Sequence, residues 1–122
     1  MTDILNEIFE RELQQAKCAC CVSPGGSEVC CVDPVNKVVY VGEALSPASR
    51  AIVGLHELGH MATLQHYYML QPTPATSYAA ELSAWAWAES RIAHVPEAIP
   101  LLYAWRSFAL LTYYYVPGGT TQ

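Results

Sequence analysis

The sequence predicts an α+β fold: a small three-stranded antiparallel sheet packed on a central helix, with one helix before it and two after. Three observations carry this expectation. Residues 3 to 16 repeat apolar side chains at helical spacing. Residues 18 to 41 are rich in Cys and Val and are broken by turn residues. From Ser46 onward, helix-length stretches are separated by prolines. The chain has 122 residues, so one domain over residues 1–122 with a single modest core is expected.

In order along the chain, Ile4, Leu5, Ile8, Phe9 and Leu13 fall roughly on one side of the first helix. A hairpin is expected over residues 18 to 32, turning at Ser23-Pro24-Gly25-Gly26-Ser27. With Gly25-Gly26 as the loop, Cys21 faces Cys30 and Cys20 faces Cys31. With Pro24-Gly25 as the turn, Cys18 pairs with Cys31, so the register stays open. Asp33-Pro34-Val35-Asn36 forms a second turn and Lys37-Val38-Val39-Tyr40-Val41 a β-branched strand.

Ser46 caps a helix with Pro47 at its first position, and no further proline intervenes before Pro72, so this helix is expected over residues 47 to 69. Thr76 or Ser77 caps a helix over residues 78 to 93, ended by His94-Val95-Pro96. A last helix, from residue 97 or 100 to 115, is dense in Leu, Tyr, Trp and Phe. It is expected to be largely covered, or to form a homo-oligomer surface.

Composition narrows the function classes. The net charge is −5 and the six Lys and Arg residues form no basic run, which argues against nucleic-acid binding. The longest apolar stretch, residues 99 to 116, is interrupted by Pro100, Arg106, Ser107 and Thr112 and falls short of a membrane span. No leader pattern opens the chain, so a soluble, cytoplasmic protein is expected. In that compartment Cys18, Cys20, Cys21, Cys30 and Cys31 are thiols that act as small buried hydrophobes on a sheet face. A structural zinc site or a strained disulfide is the alternative, and the odd count leaves one thiol over.

The chemistry concentrates in His56-Glu57-Leu58-Gly59-His60. Positions i and i+4 share a helix face, so His56 and His60 can bind one metal ion, which the pattern identifies as Zn²⁺. Glu57 lies beside that face, where it can act as general base to an activated water. A catalytic zinc site needs a third protein ligand. His66 stands at the spacing of a His-Glu-x-x-His-x-x-Gly-x-x-His pattern, but Thr63 occupies the glycine position. A β-branched residue disfavours the break that would swing His66 back. Glu81 is a carboxylate among Ala, Leu and Trp, a setting that demands a partner or a metal. Glu89 is the fallback on a similar face.

The His56 to His60 motif is preceded by a strand, a Ser-Pro-started helix and Arg50, and followed by Glu81-Leu82-Ser83-Ala84-Trp85-Ala86-Trp87-Ala88. Over roughly residues 37 to 93 this resembles the ImmA/IrrE-type metallopeptidases, gluzincin-like proteins of bacteria, mobile elements and phages. ArdC-type zincin domains are similar over Tyr78 to Ala84. The resemblance implies a minimal zincin-like domain with zinc ligands His56, His60 and Glu81, and Glu57 as catalytic base. It further implies a peptide bond in a regulatory protein as substrate; the Cys-rich tract has no place in it.

Hydrolysis also needs a donor for the developing oxyanion, and His66, Tyr67, Tyr68, Tyr78 and His94 are candidates. Trp85, Trp87 and Trp105 read as core. The alternative of another class is a zinc-stabilised interaction module, of antirepressor or inhibitor type, that binds a partner without cutting it. The intact Glu57 speaks against it.

Overall fold

A computed structural model describes residues 1–25, 30–63 and 74–111, with the side chains of residues 74–76 left aside. The chain runs α1 (Thr2–Ala16), β1 (Ala19–Ser23), β2 (Cys31–Asp33), β3 (Val38–Gly42), α2 (Pro47–Ala62), α3 (Pro74–Ile92), a 3₁₀ turn (Pro96–Ala98) and α4 (Ile99–Leu110). The α+β class with one helix before the sheet holds. Among the described residues no helix is long and apolar enough to cross a membrane.

Helix α1 buries Leu5, Ile8, Phe9 and Leu13, while Ile4 lies off that stripe and is exposed. Lys17 closes the helix in the left-handed conformation at φ 56°, and the Cys18 amide donates to Leu13 O at 2.9 Å. This 6→1 bond satisfies a terminal carbonyl and turns the chain into β1.

The sheet is mixed, not antiparallel. Its order is β1-β3-β2, with β1 parallel and β2 antiparallel to β3. The second turn forms as expected: the Asp33 carboxylate accepts from the Val35 and Asn36 amides, and β2 and β3 pair across it. The first hairpin does not form, because β3 takes the central position. Val39 and Val41 are the sheet's fully buried residues, at 0% and 2% exposure, so the most apolar strand is the one flanked on both sides. Of the expected turn, Gly26 and Ser27 lie outside the described residues, and Gly25 serves another purpose. Gly25, at φ 80°, donates its amide to the Glu43 carboxylate, and Glu43 N donates to Ser23 O, fastening β1 beside the end of β3.

This order also corrects the reading of the cysteines. Cys20, Cys21 and Cys31 are exposed rather than buried. Cys18 donates to Met61 Sδ at 3.6 Å, and the Gly42 amide donates to Cys30 Sγ at 3.4 Å. No cysteine joins a metal-ligating group among the described residues.

Helix α2 begins as its sequence foretells, with Ser46 Oγ accepting from Ser49 N and Pro47 at the first position. Arg50 braces the preceding turn by donating to Leu45 O and Glu43 O. The helix ends at Ala62, where Thr63 leaves helical geometry and its hydroxyl donates to Gly59 O. The expected run to residue 69, and the expectation that Thr63 disfavours a break, are both corrected, since α2 stops at Thr63; residues 64–69 lie outside the described residues. Helix α3 starts at Pro74, earlier than residue 78, because proline suits the first helical turn. Helix α2 is buried from Ala51 to Gly59, with α1, β3, α3 and α4 packed around it. Trp85, Ala88, Ile92 and Leu102 complete that core.

Helix α4 is anchored on one face only. Leu102 is buried and Trp105 Nε1 donates to Ser49 Oγ, but Tyr103, Phe108 and Leu111 are exposed, so the expectation of a covered helix fails over its described part.

Cys21 and Cys31 both pair with Tyr40, one on each side. Two strand spacings separate their Cα atoms by about 9.5 Å, beyond disulfide reach. Mild oxidation followed by peptide mapping is expected to show no Cys21–Cys31 bridge within one chain; finding it would contradict the strand order.

Candidate metal centre

The sequence places His56 and His60 one turn apart on α2, and the fold buries that turn. His56 is 6% exposed, Glu57 8% and Glu81 7%. Three polar groups this deep need partners, since an unpaired buried carboxylate is costly. They find one another: His56 Nε2 lies 2.6 Å from Glu81 Oε2, and His60 Nε2 lies 3.0 Å from Glu81 Oε1. Each carboxylate oxygen thus meets one imidazole. The histidines also come together directly, with ring centroids 4.6 Å apart.

Glu81 reaches this position because α3 comes unusually close to α2. A Cβ built on Gly59 would lie 2.5 Å from the Ala84 carbonyl oxygen and 3.1 Å from its Cα. Only a residue without a side chain permits that approach. Glycine inside a helix costs about 1 kcal/mol relative to Ala, so its presence here is explained by the contact, one turn along α3 from Glu81. Sequence reasoning passed over Gly59; an isolated glycine in an otherwise helical pattern was the available signal.

Glu57 approaches from the other side. Its Oε1 is 3.6 Å from His56 Nδ1, and donor atoms of His56, Glu57 and His60 all lie within 4.8 Å of one another. The two histidines are therefore shared between two carboxylates. Glu81 faces both Nε2 atoms through both its oxygens, whereas Glu57 sits toward Nδ1 of one ring.

The electrostatics follow from burial and pairing. Desolvation pushes the Glu57 carboxyl up to about 7, with the Glu81 charge adding to it and His60 opposing. Burial would also raise Glu81, but hydrogen bonds and charge from His56 and His60 hold it down to about 2. Desolvation outweighs Glu81 at His56, whose pKa falls. At His60 burial is outweighed by the hydrogen bond and charge of Glu81, together with the charge of Glu57, and the pKa rises. His56 Nδ1 is a buried atom without a hydrogen-bond partner among the described residues.

The donor set fits a zinc ion. Two imidazole nitrogens and a carboxylate are one of the recurring catalytic sets. Tetrahedral bonds near 2.1 Å separate ligand atoms by about 3.4 Å, so the 2.6 and 3.0 Å contacts would have to open by about 0.8 and 0.4 Å to admit an ion.

The other candidates separate cleanly. Glu89 accepts from Tyr103 Oη at 3.1 Å and pairs with Arg106 at 3.5 Å, so it serves the α3–α4 contact. His94 is exposed beyond the end of α3, whose last residue lies roughly 16 Å along the helix axis from Glu81. Tyr78 is half-buried one turn before Glu81 on the same face of α3. His66, Tyr67 and Tyr68 lie outside the described residues. Comparison with protein-family models, curated proteins and solved structures finds no match, so the family resemblance rests on the motif residues themselves.

Two outcomes are expected. Gly59→Ala adds a Cβ against a backbone carbonyl, which cannot rotate away; overpacking of this kind costs about 1–3 kcal/mol and outweighs the gain in helix propensity. Thermal melts should show a lowered Tm. In metal-free protein, Glu57 binds more protons folded than unfolded, so its stabilising contribution is lost as pH rises from about 4.5 through about 7. Glu81 has the opposite sign, and its contribution is lost as pH falls from about 4.5 toward 2. Urea denaturation of Glu57→Gln should show the upper limb flattened; an unchanged limb places the titration elsewhere.

Proposed function

We propose that the protein is a zinc-dependent metallopeptidase that hydrolyses a peptide bond, with a regulatory protein as its substrate class. One observation carries the reading: Glu81 lies against both imidazoles of a buried His56–His60 pair, with the Glu57 carboxylate beside them. His56, His60 and Glu81 are the residues to hold the ion, and Glu57 is the residue to move the proton. Bound there, zinc lowers the pKa of water toward 7 and polarises the scissile carbonyl.

The remaining work falls to the chain. Glu57 takes a proton from the attacking water and delivers it to the leaving amine. Its desolvated setting keeps the proton affinity high enough for both transfers, although a nearby dication would draw its pKa down. Tyr78, a described hydroxyl one turn before Glu81 on α3, is a candidate donor to the oxyanion. Among the described residues β2 is a sheet edge packed on α2, and it is the place we assign to an extended substrate.

The test combines metal content with cleavage. Zinc-loaded protein is expected to cut unstructured protein substrates, while Glu57→Gln retains zinc and loses at least about a hundredfold in rate, the contribution general-base catalysis supplies. If Glu57→Gln keeps the full biological effect, the chain is an interaction module. Protein purified without chelator that holds no stoichiometric zinc contradicts a metal centre altogether. The ligand set is tested by itself: Glu81→Ala should weaken zinc binding strongly, and His66→Ala should leave it nearly unchanged, as read by competition with a chromophoric chelator.

A further inference from the structure

A ligating imidazole is normally oriented by a hydrogen bond from its second nitrogen to a carboxylate, a carbonyl or water. His56 lacks that arrangement. Its Nδ1 is buried without a hydrogen-bond partner among the described residues, and Glu57 Oε1, at 3.6 Å, lies beyond hydrogen-bond range. Besides the Glu81 contact at Nε2, the ring has a flat neighbour: the indole of Trp85 stacks on it with centroids 4.0 Å apart and planes inclined by 11°.

Trp85 is four residues after Glu81, so one face of α3 supplies the carboxylate for the Nε2 atoms and the indole for the ring plane. Core filling alone does not account for an indole here. Trp85 is 1% exposed, and its Nε1–H is buried with no acceptor among the described residues. Leaving such a donor unpaired is costly, and an apolar side chain would avoid that cost. Indole does offer the most electron-rich face of any side chain, and its attraction to a ring grows as that ring becomes electron-poor. An imidazole bonded to a dication is such a ring.

We propose that Trp85 is a positioning residue of the metal centre, fixing the plane of His56 by stacking where a hydrogen bond is missing and gripping it more tightly when the ion is bound. This rests on the His56, His60, Glu81 reading. The stack and metal occupancy are then linked, so zinc binding changes the emission of Trp85.

The experiment compares wild type, Trp85→Phe, Trp85→Leu and the control Trp87→Phe, whose indole instead carries Arg91 at 4.6 Å. Zinc affinity is measured by chelator competition, tryptophan emission is followed through the titration, and the cobalt-substituted proteins give ligand-field spectra. Trp85→Leu is expected to lose about tenfold or more in affinity, the range for lost orienting partners of metal ligands. Trp85→Phe should keep most of the affinity with a shifted cobalt spectrum, and the zinc-dependent emission change should vanish in Trp85→Phe but persist in Trp87→Phe.

An emission change that survives in Trp85→Phe, or a cobalt spectrum identical to wild type, overturns the proposal while leaving the centre intact. Should Trp85→Leu fail to fold, these Trp85→Phe readouts decide. Wild-type protein that takes up no stoichiometric zinc overturns both the centre and the role of Trp85.

Discussion

A carboxylate buried between two imidazoles is the interaction on which the rest of this structure depends. Glu81 is 7% exposed, and its charge is tolerable only because each oxygen meets an Nε2 atom. That requirement sets the distance between α2 and α3, and the distance in turn requires Gly59 opposite the Ala84 carbonyl. The sheet and α1 enclose α2 from the other side, so the motif turn lies in the core rather than on a surface.

The same burial divides the labour between two chemically identical side chains. Glu81 is held ionised by its histidines, while Glu57, desolvated and repelled by Glu81, is held near neutrality. Environments that push two carboxyl groups apart in pKa are how sites assign one to charge stabilisation and the other to proton transfer. In the proposed enzyme that separation matches a ligand and a base.

Much of this was legible before any coordinates. Ser46-Pro47 announced the start of α2, and the i, i+4 histidines announced a shared face, because both signals are local. Glu81 stood out as a charge among Ala, Leu and Trp, and the structure places it against both histidines. The strand order was not legible. The Pro24-Gly25 segment reads locally as a hairpin turn, and only the burial of Val39 and Val41 against α2 decides that β3 lies between β1 and β2. The exposure of Cys20, Cys21 and Cys31 follows from that order and escaped for the same reason. The stacking of Trp85 on His56 joins residues on different helices, where periodicity says only that both are buried.

The central claim is that His56, His60 and Glu81 hold one zinc ion with Glu57 close by and uncoordinated. A crystal structure of zinc-loaded protein with anomalous scattering recorded at the zinc edge tests it most directly. The account predicts one strong peak bonded to His56 Nε2, His60 Nε2 and a Glu81 oxygen, with a fourth position open toward Glu57. A peak bonded to His66 in place of Glu81, or no peak between the two helices, would contradict it.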